Sequence, residues 1–389
     1  MKRSQLAELA DDADRCVRCG LCIPLCPTWQ VTRNEGQSPR GRIVAMARLA
    51  DGEKPDGAAA MLDSCLGCGV CQQACPSDVP YLRMIGVAKR AAGGKNHPLV
   101  TLLARLAAAS HGDLILRMLL AAGRIAARLP GIGRRSDLIG MLPRPNRARQ
   151  ATIAAASTSD GPPVVLFRGF GNSLDQAEQG AASQLLAACG YRIVSAPKAT
   201  CCGSLLEHAA QIDAAKKAAA QNRAAFPAGA AVATTASGCA AGLNAQHPAM
   251  PAIDACQLVL NRIERLPAAQ PAKRPVRIIL HIPCTGQAAA GATGLLEQIP
   301  AAQVIETGAG QCCGAGGITC INHRRQGRAL AEPLAEAIIA AADQHTLIAC
   351  PNHPCARHIE RALADKGQPQ LVRHPLEIFA EQWFGPQLP

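Results

Sequence analysis

Aromatic side chains are nearly missing from this 389-residue chain, which has two Trp, two Tyr and five Phe. Single-stranded nucleic acid is held on aromatic stacking platforms, and these are too few here to build one. The formal charge of +12 would suit a polyanion, but the basic residues are scattered rather than gathered into a tract, so nucleic acid is not an expected partner. Also missing is an apolar run long enough to span a bilayer. The nearest, residues 97–133, is broken by Arg105, Asp113, Arg117, Arg124 and Arg128. Leu99, Leu102, Leu103 and Leu106 recur in it at helical spacing, which predicts a basic amphipathic helical segment. It is expected to pack on its own domain or on a partner subunit, with membrane-surface docking as the alternative. The start of the chain, MKRSQLAELADDADRC, has no apolar core of a secretory signal. The expected location is therefore cytoplasmic, with peripheral contact on the inner face of the cell membrane left open. Neither a GxGxxG dinucleotide fingerprint nor a P-loop is found, which argues against independent nucleotide-dependent turnover.

Cysteine, by contrast, is abundant, with 19 residues. In a short secreted chain that would mean disulfides, but tight cysteine clusters in a long chain point to thiolate ligation of metal in a reducing compartment. Cys16-x2-Cys19-x2-Cys22-x3-Cys26-Pro27 is followed by Cys65-x2-Cys68-x2-Cys71-x3-Cys75-Pro76. Cysteines three residues apart wrap three corners of a cubane, and the fourth thiolate must come from elsewhere. In two-cluster ferredoxins the last cysteine of each run serves the other cluster. Cys16, Cys19, Cys22 and Cys75 are thus assigned to one 4Fe–4S cluster, and Cys65, Cys68, Cys71 and Cys26 to a second. Zinc is the competing reading, but zinc ribbons pair their ligands and rarely carry a third evenly spaced cysteine before Cys-Pro.

Gly20 and Gly69 let the backbone approach inorganic sulfur. Ser38 and Pro39 are expected to cap and open a helix. That helix carries Arg40 and Arg42 either toward a cluster's negative charge or into solvent. The basic excess reads as compensation for buried anionic clusters, or as attraction to an acidic partner or membrane surface.

The predicted fold is α+β overall. An all-helical or irregular two-cluster ferredoxin-type domain, residues 1–95, leads into the amphipathic segment 96–141 and a Pro/Ala/Ser/Thr-rich linker, 142–163. Two pseudo-repeated small α/β units with parallel sheets follow, 164–268 and 274–389. In the first unit VVLFRGF and YRIVSA read as strands, with a helix between them ending at Gly190. A single helix is expected from Leu205 to Phe226, before the strand AAVATT. In the second unit RIILHIP, AQVIET and TLIAC read as strands, and RALAEPLAEAIIAA as a helix. Cys201-Cys202-Gly203 and Cys312-Cys313-Gly314 fall at matching places, which indicates an internal duplication of about 110 residues.

CVRCGLCIPLCPTWQ, SPRGRI and LDSCLGCGVCQQACPSDVPY, followed in order by TTASGC, HIPCT, CCGAGG, NHPC and VRHPLEI, resemble the iron–sulfur subunit of bacterial glycolate oxidase. The resemblance covers nearly the whole chain. It extends more distantly to the iron–sulfur subunit of anaerobic glycerol-3-phosphate dehydrogenase and to heterodisulfide-reductase-type proteins. It implies an electron-transfer subunit without turnover of its own, fed by FAD-binding oxidase subunits that act on a 2-hydroxy acid, and passing electrons to a quinone or other acceptor.

The resemblance further implies that each repeat offers a cysteine after its first strand, the Cys-Cys-Gly, and a later cysteine. In the second repeat these are Cys284, Cys312, Cys313 and Cys355, with Cys350 close by. They are the expected ligands of a third iron–sulfur cluster, with a zinc ion or free buried thiols as alternatives. In the first repeat Gly169-Phe170 stands where the family has Gly-Cys. That leaves Cys201, Cys202 and Cys239, with Cys189 and Cys256 unplaced, and a degenerate site is expected. His281 and His353 flank the second set and read as structural residues at strand ends, with a ligand role as the alternative. The alternative function is a heterodisulfide-reductase-like thiol–disulfide enzyme using a cluster bound by a Cys-Cys-Gly repeat.

Overall fold

A computed structural model describes residues 3–93, 101–102, 160–169, 176–246, 250–271, 274–285, 290–308, 311–316 and 319–385. The expected amphipathic segment lies outside the described residues except at 101–102, as does the linker up to residue 159. No described helix is long and apolar enough to cross a membrane.

The N-terminal region is built from short helices: α1 (Arg3–Asp14), α2 (Pro27–Thr32), α3 (Pro39–Ala50), α4 (Ala58–Asp63), α5 (Val70–Gln73) and α6 (Tyr81–Ala91). Leu9, Met46, Leu62, Tyr81 and Met84 are buried together between them. Each fully buried Leu or Met contributes about 1.5–3 kcal/mol. Ser38 caps α3 as expected, its Oγ accepting the Gly41 N–H at 3.1 Å, with Pro39 in the first turn.

Beyond residue 160 the chain alternates strand and helix twice. The first round comprises β1 (Pro163–Leu166), α7 (Gln176–Ala188), β2 (Arg192–Ile193), α8 (Ser204–His208), α9 (Ile212–Ala225), β3 (Ala231–Thr234), α10 (Ser237–Gln246), β4 (Ala252–Asp254) and α11 (Ala255–Leu260). The second comprises β5 (Val276–His281), α12 (Ala290–Leu296), β6 (Ala302–Thr307), α13 (Thr319–Asn322), α14 (Arg324–Ala341), β7 (Leu347–Ala349), α15 (His353–Asp365), β8 (Val372–Arg373) and α16 (Pro375–Phe384). Both sheets are four-stranded and parallel, ordered β2-β1-β3-β4 and β6-β5-β7-β8. Parallel strands are covered on both faces and therefore read as short continuous apolar runs. Val164 and Val165 in one sheet, and Ile278, Ile279 and Leu280 in the other, are all buried.

The two units share one core. α7 packs on α16 and α11 on α12, so the first helix of each unit meets the last helix of the other. Leu185, Leu186, Val259, Leu295, Leu296 and Phe379 fill this interface. Cys189 and Cys256 lie in the same core at 0% exposure and serve as small apolar residues there.

Two expectations are corrected. The helix expected from Leu205 to Phe226 is two helices, α8 and α9. Ala210 takes a left-handed φ of 54°, and the Ala210 and Gln211 N–H groups bond back to Glu207 and Leu206 carbonyls. That is a Schellman termination, and with alanine in place of glycine it leaves little trace in the sequence. The strand expected over YRIVSA pairs only at Arg192–Ile193, because it is an edge strand and Pro197 lies just beyond it.

Candidate metal centres

The two cysteine runs surround two adjoining cavities. Cys16, Cys19, Cys22 and Cys75 line the first, a cleft of about 460 Å³ that opens to solvent. Cys26, Cys65, Cys68 and Cys71 line the second, of about 320 Å³. In each case the last cysteine of one run faces the cavity of the other. Cys71 borders both cavities, and Pro39 and Tyr81 stand in the wall between them. Most of the remaining lining is aliphatic. A tetrathiol set in such a wall fits a cubane cluster better than a hard cation, which needs oxygen donors.

The loops are shaped for this by backbone conformation. Arg18 and Gly67, each two residues after the first cysteine of its run, take φ of 57° and 62°, and Gly20 and Gly69 take 84° and 77°. Only glycine suits position 67 in any case, because a Cβ there would run into the His208 ring.

Charge around the second cavity is set by residues buried with the thiols. The Arg42 guanidinium is 1% exposed. Its Nε donates to the Met61 carbonyl at 2.8 Å, and its Nη2 donates to Ser64 Oγ at 2.8 Å and Thr28 Oγ1 at 3.0 Å. Nη1 lies 3.9 Å from Cys26 Sγ. Burial by itself would raise the Cys65 thiol. The charges of Arg42 and Lys89, with the Gly67 N–H and the Tyr81 hydroxyl, reverse that and hold it below its ordinary value. Cys68 and Cys71 have no such cation and are pushed up, first by burial and then by neighbouring thiolates. A metal that binds them must displace those protons. Both arginines considered from sequence approach a cavity: Arg42 is buried beside the second, and Arg40, paired with Glu35 at 2.6 Å, borders the first, its Nη1 donating to the Arg18 carbonyl at 3.2 Å. Lys89 and Tyr81 carried no sequence signal, since α6 reads simply as an amphipathic helix.

The second cavity abuts the second repeat. Leu66 and Cys68 pack with Cys312 and Leu330. A Cβ on Gly316 would meet the Leu66 carbonyl at 2.8 Å, so glycine is what lets the two chains come this close. Gln326 Nε2 adds a 3.3 Å bond to the Ser64 carbonyl.

Around Cys312 the thiols form a continuous chain. Cys284 and Cys313 hydrogen-bond with Cys312, while Cys313, Cys350 and His281 hydrogen-bond with Cys355. These bonds hold Cys312 and Cys355 well below the ordinary thiol value and raise Cys284 and Cys313. Cys350 is raised chiefly by burial. Asn352 Nδ2 donates to Cys355 Sγ at 3.1 Å, and the Cys313 carbonyl meets His358 Nδ1 at 2.5 Å. Cys284 follows β5, and Cys350 and Cys355 follow β7. These strands flank the point where the strand order reverses, the crevice where open parallel sheets place ligands. Cys350, only noted in passing from sequence, joins the predicted Cys284, Cys312, Cys313 and Cys355.

The first repeat brings together fewer donors. Cys202 Sγ lies 3.5 Å from Cys239 Sγ and 3.5 Å from Ser204 Oγ. Hydrogen bonding with Cys201, then with Cys239, holds Cys202 well below the ordinary thiol value. The strand registers align the repeats, because Val164–Leu166 pair with Ala231–Ala233 just as Ile278–Leu280 pair with Leu347–Ala349. Counting on from these ladders, Phe170 matches Cys284, Thr234 matches Cys350 and Cys239 matches Cys355. Phe170 itself lies outside the described residues.

Comparison with known proteins agrees with this layout. A 4Fe-4S dicluster domain matches residues 12–79, and a cysteine-rich domain matches twice, at 169–244 and 278–360. The chain is 27% identical over 421 aligned residues to the glycolate oxidase iron-sulfur subunit of Escherichia coli, covering 97% of this chain and 96% of that protein. It is 32% identical over 273 residues to a probable glycolate oxidase iron-sulfur subunit of Bacillus subtilis. That alignment covers 62% of this chain and 61% of the relative.

Proposed function

Because this chain joins a 4Fe-4S dicluster domain to a duplicated cysteine-rich domain and is homologous to glycolate oxidase iron-sulfur subunits, we propose that it is the electron-transfer subunit of a flavoprotein 2-hydroxy-acid dehydrogenase. The observation that carries this reading is contiguity. Two thiol-lined cavities share a wall, and the second touches the thiol chain of the second repeat through Leu66, Cys68 and Cys312.

In this reading Cys16, Cys19, Cys22 and Cys75 hold one 4Fe–4S cluster, and Cys65, Cys68, Cys71 and Cys26 hold another. Cys284, Cys312, Cys313 and Cys355 hold a third metal centre. Bound clusters supply reversible one-electron chemistry. The protein's part is to set them side by side, to offset thiolate charge with Arg42 and Lys89, and to close the junction against water with Leu66. An FAD-binding oxidase subunit is the donor and a quinone the acceptor, the latter reached at the inner face of the membrane.

The purified chain should not reduce an artificial dye with glycolate or lactate. Adding its FAD-binding partner should restore turnover. Robust hydroxy-acid oxidation by the flavin-free chain would overturn the proposal.

The repeats should also differ. Cys313→Ser should remove the second repeat's metal, roughly four irons if that centre is a 4Fe–4S cluster, and slow electron transfer. Cys202→Ser should leave the iron content near wild type, because its repeat has lost donors at positions 170 and 234. Equal iron loss in the two variants, measured by iron and acid-labile sulfide, would show that the first repeat also holds a cluster.

A further inference from the structure

One buried polar side chain beside the second Cys-Cys-Gly engages cysteine sulfur rather than the backbone or another polar side chain. His281, the last residue of β5, is 0% exposed. Neither of its ring nitrogens finds an oxygen or nitrogen partner among the described residues, and its polar contact is a hydrogen bond with the Cys355 sulfur. A buried imidazole whose polar contact is a thiol sulfur alone is weakly satisfied, and such groups in native proteins call for an explanation. The fold does not require an imidazole there. Counting from the aligned strand registers, the same position in the first repeat is Phe167, 1% exposed and packed edge-on to Phe226 at 6.0 Å between ring centres. An apolar ring therefore satisfies this place in the architecture.

What differs is what the ring faces. A ligand nitrogen of His281 and the sulfurs of Cys313 and Cys355 all lie within 4.8 Å of one another. On the other side, a Cβ at position 308 would run into the ring at Nδ1, so Gly308 makes room for the imidazole. The repeat that carries the histidine is also the one that keeps cysteines at positions 284 and 350. The repeat with phenylalanine at 167 has Phe170 and Thr234 at those places. Imidazole and the full thiol set thus occur together and are lost together.

We infer that His281 is a metal ligand, giving the centre of the second repeat mixed nitrogen–sulfur coordination together with Cys313 and Cys355. This takes the ligand alternative for His281 over the strand-end structural one, and it rests on the proposal above that the second repeat holds metal. Imidazole in place of thiolate on iron raises the reduction potential, because a neutral donor leaves less negative charge on the centre. On zinc the same donor set is equally ordinary. The shared chemistry is a thiolate-rich centre with one nitrogen donor, and the metal that fills it is read out by the experiment.

The test uses the full chain, purified anaerobically and reconstituted with ferrous iron and sulfide, alongside Cys313→Ser, His281→Phe and His281→Cys. Iron, zinc and sulfide are counted in each. Coordinated nitrogen is read by pulsed EPR of the paramagnetic centre, or by X-ray absorption at the zinc edge if zinc is what Cys313→Ser removes. Expected is a nitrogen signature in wild type that disappears in His281→Phe, a variant that copies the first repeat and so keeps the fold. His281→Cys should keep its metal, lose the nitrogen signature and, for an iron centre, shift to lower potential. If Cys313→Ser removes no metal, the second repeat is not a metal site and both readings fall. If Cys313→Ser removes metal while His281→Phe keeps the wild-type metal content, nitrogen signature and potential, the centre stands and the role of His281 alone is overturned.

Discussion

Cys75→Ser should empty the cavity built by Cys16, Cys19 and Cys22, although Cys75 belongs to the other cysteine run. The reason is geometric, since Cys75 borders the first cavity and Cys26 the second. Loss of one cubane removes roughly four of about eight irons from this domain. In the reduced protein it should also abolish the magnetic interaction between neighbouring clusters, leaving one simple S = 1/2 signal. The comparison that decides the wiring is among three variants. Cys19→Ser and Cys75→Ser should lose the same EPR component, and Cys68→Ser the other. If Cys75→Ser instead matched Cys68→Ser, each run would be serving its own cluster. A secondary effect is expected on the surviving cluster, because the crossed cysteines tie α2 and the loop before α6 to both cavities.

Arg42→Met should be among the most damaging substitutions that touch no cysteine. Methionine keeps an unbranched apolar stem but ends where the guanidinium begins and donates no hydrogen bond. It would strip partners from the Met61 carbonyl, Ser64 and Thr28, and leave Cys26 and Cys65 without their nearest cation. Removing one member of a buried charged set costs about 3–5 kcal/mol. That is a large part of the ~5–15 kcal/mol by which whole domains are stable. Denaturant titration of the cluster-loaded protein should show this loss. Redox titration should show the second cluster shifted to more negative potential, because a cation favours the state that has gained an electron. Arg42→Lys should fall between the two, keeping charge but losing the fork that reaches three acceptors at once. Wild-type stability and potential in Arg42→Met would mean that the guanidinium is spectator packing.

Much of this site is legible without coordinates because the information is local. Three cysteines spaced three apart must form one tight loop whatever surrounds them, so the first three corners of each cavity follow from spacing. The strands around Val164 and Ile278 follow from apolar runs bounded by turn residues, and the duplication from two Cys-Cys-Gly triplets at matching places. Ser38 and Pro39 announce the start of α3 by capping chemistry that involves only its first turn.

Tertiary structure decided what depends on residues far apart in the chain. The break between α8 and α9 rests on Ala210 adopting a conformation that glycine would have signalled and alanine does not. Leu66 meets Cys312 across 246 positions of sequence, and only the close approach at Gly316 shows that the dicluster domain sits on the second repeat and not merely beside it in the chain. Whether Arg42 turns inward, and whether His281 faces sulfur or solvent, is likewise undetermined by neighbours along the chain. A side chain's burial, and the charges that surround it once buried, are properties of the packed whole.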